Sequence, residues 1–132
     1  MISPALHFPG NCAEAMALYQ DVFHGTDLHI DYFRDAPPDP GFPVSEDMMD
    51  LVMHGGMTIC GTPFNMSDTR DEIVTGNMVV FNVFLPSADE VCRAFGMLRE
   101  GGKVFVELGP QFFSPMYGSV EDRFGVRWQL IS

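Results

Sequence analysis

Phe112 to Ile131, FFSPMYGSVEDRFGVRWQLI, holds one strand, a corner at Asp122, Arg123, Phe124 and Gly125, and a second strand. Gly125 can take a positive φ without a Cβ penalty, which suits the corner, and the β-branched and aromatic residues after it have strand character. Side chains alternate along a strand, so Arg127, Gln129 and Ile131 share one face and Val126, Trp128 and Leu130 the other. Only one of these faces can look into a cavity.

Upstream of this pair, Lys103 to Leu108 reads as a strand, and Ser87 with Glu90 three places on forms a capping box that opens a helix. Its apolar stripe is Ala88, Val91, Cys92, Phe95 and Leu98, and Gly101-Gly102 stops it. Met78 to Leu85 is the strand before it. The same order occurs once more, earlier in the chain. Pro4 to Phe8 is a short strand, and Asn11 with Glu14 caps a helix whose apolar positions are Cys12, Ala15, Met16, Tyr19, Val22 and Phe23. Gly25 ends that helix, and Leu28 to Phe33 is the next strand. Asp50 to Ile59 is a strand with an expected bulge near Gly55-Gly56, and Pro63 to Ser67 returns after a turn. The prolines between Asp35 and Asp47 make that stretch an irregular loop.

The chain is therefore two copies of a βαβββ unit, an α+β fold read as a single domain over 1–132, with modules at about 1–68 and 77–132 and a linker at 69–76. One helix per four strands covers one sheet face, and pairing two such units predicts a curved mixed sheet with a concave cleft where a ligand would sit.

Composition narrows the function. With 18 acidic residues against 7 basic ones, the formal charge of −11 repels phosphate backbones and anionic lipid, which argues against nucleic-acid and membrane partners. No apolar run reaches the roughly 18 residues of a membrane-spanning helix, and no basic-then-apolar leader is visible, so the expectation is a cytoplasmic protein. Cys12, Cys60 and Cys92 show no CxxC spacing and imply neither a disulfide framework nor a zinc ribbon. Cys12 and Cys92 read as small buried hydrophobes in helices, and Cys60 as a turn residue, inert more readily than reactive.

Several residues together resemble a known family: Ser3-Pro4 before a strand, Phe8-Pro-Gly-Asn-Cys-Ala-Glu-Ala15, His54, Met66-Ser67-Asp68, Phe112-Phe113, Tyr117-Gly118 and Asp122-Arg-Phe-Gly-Val-Arg-Trp128. In order and spacing they resemble the PhnB-like family of the vicinal oxygen chelate superfamily, which includes glyoxalase I, bleomycin- and fosfomycin-resistance proteins and extradiol dioxygenases. The resemblance implies paired βαβββ modules, a homodimer that shares its clefts, and in many members a metal held from the first and fourth strands of each module. Counted from the helix caps, those four places fall on Pro4, Asn65 (or Met66), Val80 and Gln129. Proline and valine carry no donor, and neutral amides are weak ligands beside imidazole or carboxylate, so the expectation is no metal and no cofactor. Some relatives carry a ubiquinone-pathway methyltransferase label, but this chain has no Gly-rich strand-to-helix loop to hold a nucleoside cofactor.

The first expectation is a small-molecule binding protein, acting by sequestration as bleomycin-resistance proteins do, with Phe8, His54, Asn65, Tyr117 and Gln129 lining the cleft. Aromatic residues are core material first, but some would line the cleft with the amides as polar points. His7, three places after Pro4, is expected to face the helices and pack as a structural histidine. His24 and His29 read as surface groups at the helix exit, and Asp122 as a turn-fixing acceptor. The alternative is a metal-dependent lyase, isomerase or dioxygenase, with His7, His54 or Glu107 as ligands outside the usual places.

Overall fold

In the computed structural model, which describes residues 1–37 and 43–132, the order strand, helix, three strands occurs twice. The two copies fall into two compact units, Met1–Ile73 and Val74–Ser132, dividing inside the stretch expected as the linker. The first unit comprises β1 (Ala5–Phe8), α1 (Cys12–Phe23), β2 (Thr26–Tyr32), β3 (Val52–Ile59) and β4 (Thr62–Asp68), with sheet order β1-β4-β3-β2. The second comprises β5 (Phe81–Phe84), α2 (Ala88–Leu98), β6 (Lys103–Gln111), β7 (Ser114–Glu121) and β8 (Arg127–Ile131), in order β5-β8-β7-β6. In each, the first strand runs parallel to the last and the other pairs are antiparallel. The fold is thus α+β: two four-stranded mixed sheets, each with its own helix.

The loop expected over 35–47 includes residues 38–42, which lie outside the described residues. On either side of them the chain forms single 3₁₀ turns, Phe33–Asp35 and Glu46–Met48.

Helix periodicity decides which side chains are buried. The stripe read for α1, from Cys12 to Phe23, is buried in full. In α2 the buried set is Val91, Ala94, Phe95 and Leu98, while Cys92 is exposed, one position off the stripe's centre and thus turned away from the sheet. Cys12, by contrast, is fully buried, and burial together with the nearby Asp68 carboxylate pushes its thiol up to about 12. Burial also raises the Cys60 thiol, so neither group is an activated nucleophile.

Gly55 and Gly56 do not form a bulge. β3 pairs with β4 through them in regular register, Gly55 opposite Met66 and Gly56 opposite Asn65, and the irregularities of the β2–β3 ladder fall elsewhere, one between Thr26 and His29 of β2 and one where Asp31 and Tyr32 span His54 to Val52 of β3. The glycines are required by close approach on both faces of the sheet. A Cβ on Gly55 would stand 2.8 Å from Met16 Sδ in α1, and one on Gly56 would stand 2.2 Å from Cε1 of His29. Likewise α1 ends not on Gly25 but on His24, which takes the left-handed conformation with φ 53°. Gly25 is small because a side chain there would run into Met57 Sδ at 2.3 Å.

The start of α1 also departs from its local reading. The Asn11 side chain makes no capping bond; Asp68, at the end of β4, does that work instead. Its Oδ1 accepts from the N–H groups of Gly10 (3.0 Å) and Cys12 (2.9 Å), and its Oδ2 from Val52 N–H (2.9 Å). In the second unit the Ser87 hydroxyl does cap α2, accepting from Glu90 N–H at 3.2 Å. Asp122 fixes the corner as read from sequence: Oδ1 accepts from Phe124 and Val126 N–H, and Oδ2 from the Trp128 indole at 2.9 Å. Gly125 takes φ 92° there.

Asp68→Ala leaves three N–H groups without their charged acceptor in a region only 8% exposed at that residue. The expected destabilisation is roughly 2–4 kcal/mol by denaturant unfolding; a loss under about 1 kcal/mol would show that water replaces the carboxylate there.

Candidate functional site

Each sheet has one face against its helix and one away from it. In the first unit Gly55 marks the helix side through Met16, and its strand partners Met66 and Ile30 share that side. Phe8 and Leu6 belong to it through their pairing with Asp68 and Met66. Phe8 is only 1% exposed, so it is a core residue and leaves the set of candidate lining residues.

The other face carries the polar groups. Following the register across the strands, His7 of β1 pairs with Ser67 of β4, and His54 of β3 pairs with Asp31 of β2. Because Gly55 lies opposite Met66, His54 comes opposite Ser67, and one row runs His7, Ser67, His54, Asp31. The next row is Ala5, Asn65, Gly56, His29. His54 and Asn65 therefore share one exposed face, with the amide Nδ2 of Asn65 donating to Ser3 Oγ at 3.3 Å. His29, read from sequence as a surface group at the helix exit, lies across the Gly56 backbone with its ring 5.2 Å from that of His54. The period-2 alternation of β2 could have revealed that placement only with the β2–β3 register in hand.

His7 is corrected by the same register. It points away from the helix, on the face of Asn65 and His54, whereas Pro4 has the parity of Leu6 and Phe8 on the helix side. Counting from helix caps fails here because the connections differ: buried Phe8 stands three places before Asn11, and buried Val83 four places before Ser87. A shift of one residue exchanges the two faces of a strand.

In the second unit, Gly118 marks the helix side, since a Cβ there would lie 2.6 Å from the Phe95 ring. Trp128, Leu130 and Val120 lie on that side, each 0% exposed. Gln129 lies on the opposite face, between Asn82 of β5 and Ser119 of β7. Tyr117 shares that face through its pairing with Ile131, which in turn pairs with Phe84, and its ring meets Phe113 edge-on at 5.2 Å. At one end Arg127 lies 4.0 Å over the Phe105 ring and donates to Glu121 at 3.2 Å. Phe84 is 72% exposed and Phe113 53%, so the face is aromatic with the Gln129 and Asn82 amides at its middle. Phe84, Phe105 and Asn82 escaped sequence reading because nothing local distinguishes them from core strand residues.

The donors for a metal do not fit. Asn65 and Gln129 lie on the two open faces, but Pro4 and Val80 have no donor atom, and among the described residues no three His, Cys, Asp or Glu side chains are grouped to hold a metal ion. Glu107 is engaged by Arg99 through two contacts of 3.0 and 3.2 Å within the second unit.

Comparison with known proteins gives these features a family. The chain is similar to protein PA1353 of Pseudomonas aeruginosa, 31% identical with a TM-score of 0.81, covering 99% of this chain and 96% of that one. It is 28% identical over 137 residues to protein YjdN of Escherichia coli strain K12, covering 98% of this chain and 92% of that protein. A fosfomycin resistance protein of Listeria monocytogenes, solved with Mn(II) and a dihydroxypropylphosphonic acid, shares the fold at TM-score 0.68 and 10% identity, covering 99% of this chain and 90% of that one. A family model described as 3-demethylubiquinone-9 3-methyltransferase matches residues 1–131. The chain belongs to this PhnB-like family and has the glyoxalase/bleomycin-resistance-like fold.

Proposed function

We propose that this protein is a metal-independent small-molecule binding protein that holds an apolar or aromatic ligand against the open sheet faces. The observation that carries the reading is the open face of the second unit, where Gln129, Asn82 and Tyr117 sit among exposed Phe84, Phe105 and Phe113. Large exposed aromatic side chains grouped on one surface mark binding sites, and a few amides among them orient what binds. In the first unit His54 and Asn65 supply the corresponding polar points. A second copy of the chain is the expected macromolecular partner, since an uncovered sheet face of this apolar character favours self-association, and the cytoplasm is the expected location. Among the described residues no helix is long and apolar enough to cross a membrane.

The methyl transfer named in the family's description finds no support in the turn before α1, whose Gly10 and Cys12 N–H groups are already donated to Asp68. A metal-dependent lyase, isomerase or dioxygenase is the second reading, favoured by one observation: His7 and His54 lie on the same face in one row. One strand, β4, lies between them, so their backbones stand about 10 Å apart, and among the described residues no three His, Cys, Asp or Glu side chains are grouped to hold an ion there.

A thermal-shift screen of aromatic metabolites and antibiotics is expected to return ligands whose affinity falls by ~10-fold or more in Gln129→Leu and Tyr117→Ala, the usual size for loss of a buried polar contact plus an aromatic wall. Ligands whose affinity neither substitution changes would remove this face from the reading. Sedimentation equilibrium should give about twice the chain's 14.7 kDa; a monomer mass at all concentrations would remove the second copy. Titration with Ni²⁺, Zn²⁺, Mn²⁺ and Fe²⁺ by calorimetry decides the second reading. No stoichiometric tight binding is expected; tight binding lost in His54→Ala would establish the enzyme reading instead.

A further inference from the structure

On the open face of the second unit the registers of β5, β8 and β7 set three uncharged polar side chains side by side, Asn82 opposite Gln129 and Gln129 opposite Ser119. They form one row, two carboxamides and a hydroxyl, at strand spacings of about 4.8 Å. Asn82 is exposed, Gln129 and Ser119 are half-buried, and among the described residues none of the three makes a hydrogen bond through its side chain. Aromatic rings flank the row on both sides. Two residues along the strands, about 6.6 Å away, stand Phe84, Ile131 and Tyr117, with the Phe113 ring edge-on to Tyr117. Two residues the other way stands Arg127, whose guanidinium lies 4.0 Å over the Phe105 ring.

This pattern selects an edge and not a charge. A carboxamide carries an acceptor oxygen beside a donor N–H₂, so it pairs bidentately with a ring edge that offers an N–H next to a C=O. Asn82 and Gln129 stand one strand apart, close enough for both to reach the same edge, and the Ser119 hydroxyl donates or accepts beside them. The row itself holds no ionised group to receive a charged ligand. The charges nearest to it are spent on one another or on a ring: Arg127 donates to Glu121 at 3.2 Å, and Lys103, opposite Glu121, lies 5.2 Å from the Phe105 ring. A flat ring standing on the row would have its edge at the amides and its two faces toward Tyr117 and Phe105.

We propose, on the reading of this face as the ligand site, that the row binds the edge of a flat, uncharged cyclic amide, a heteroaromatic ring with an N–H beside a C=O. Tyr117 and Phe105 flank the ring. The test titrates the full ¹⁵N-labelled chain with carbostyril, a bicyclic lactam that has this edge, and with its N-methyl and O-methyl derivatives, which keep both rings and lack the N–H. The side-chain N–H₂ resonances of Asn82 and Gln129 are expected to move with carbostyril, and its affinity to exceed that of both derivatives by ~10-fold or more, because a site that pairs with a donor rejects analogues without one. Gln129→Met, close in size and without the amide, should cut that preference to ~2–3-fold, and adding Asn82→Leu should erase it. Tyr117→Ala should weaken all three probes alike, since the ring faces are common to them. Equal affinities in the unaltered protein, or a preference that survives both amide substitutions, would overturn the choice of a cyclic amide while leaving an aromatic ligand on this face. Asn82 and Gln129 resonances unmoved by any probe would overturn the proposal outright, and an aromatic-ligand screen insensitive to Tyr117→Ala would then remove the face as well.

Discussion

A carboxylate taken out of water has to be surrounded by donors, and each unit of this protein is organised by one that is. Asp68 is 8% exposed and Asp122 only 2%. Desolvating a charge is costly unless hydrogen bonds replace its hydration. Asp68 obtains them from Gly10, Cys12 and Val52, which ties the end of β4 to the start of α1 and to the start of β3 in one step. Asp122 obtains them from Phe124, Val126 and the Trp128 indole, which sets the corner between β7 and β8 and seats the largest side chain of the core. Once these points are held, the strands on either side are held in register.

Register in turn decides what each sheet offers to a ligand. Every strand has a face against its helix and a face away from it, so pairing Ala5 with Asn65 brings His7 onto the same face, and pairing Asn82 with Gln129 brings Phe84 there in the other unit. The glycine pair in β3 shows how closely the faces are used. Gly55 makes room for Met16 of the helix and Gly56 for His29 on the opposite side, so the two adjacent residues lack side chains for two different reasons. A side chain at either place would move a neighbour, and on the open face that neighbour is the imidazole next to His54.

The same registers decide which chemical groups each face presents. The two open faces carry amides, imidazoles, hydroxyls and exposed aromatic rings. The charged groups of the second unit's face are paired with one another, Arg127 with Glu121, or lie over a ring, Lys103 at 5.2 Å from Phe105. The two buried carboxylates that remain are consumed by structure. Neither is left to move a proton.

Much of the fold was legible in the residues alone. Helical and alternating periodicity located both helices and the strands around them, because amphipathic patterning is a property of neighbours along the chain. The repeat was visible for the same reason, and so was the Asp122 corner, where acceptor, turn and Gly125 lie within four residues. What local pattern could not supply was everything that depends on pairing between distant strands. Asn11 looked like the cap of α1, but Asp68, 56 residues beyond Cys12, fills that role. Phe8 looked available to a ligand and is core; His7 looked turned to the helix and faces away from it; Gly55-Gly56 looked like a bulge and is a pair of close contacts. Each of these reverses with a one-residue change of register or with the arrival of a remote side chain. The sequence by itself determined the elements and their order, since short-range patterning encodes both; only the tertiary structure decided which face each side chain occupies, because strand register is set by contacts between residues far apart in the chain.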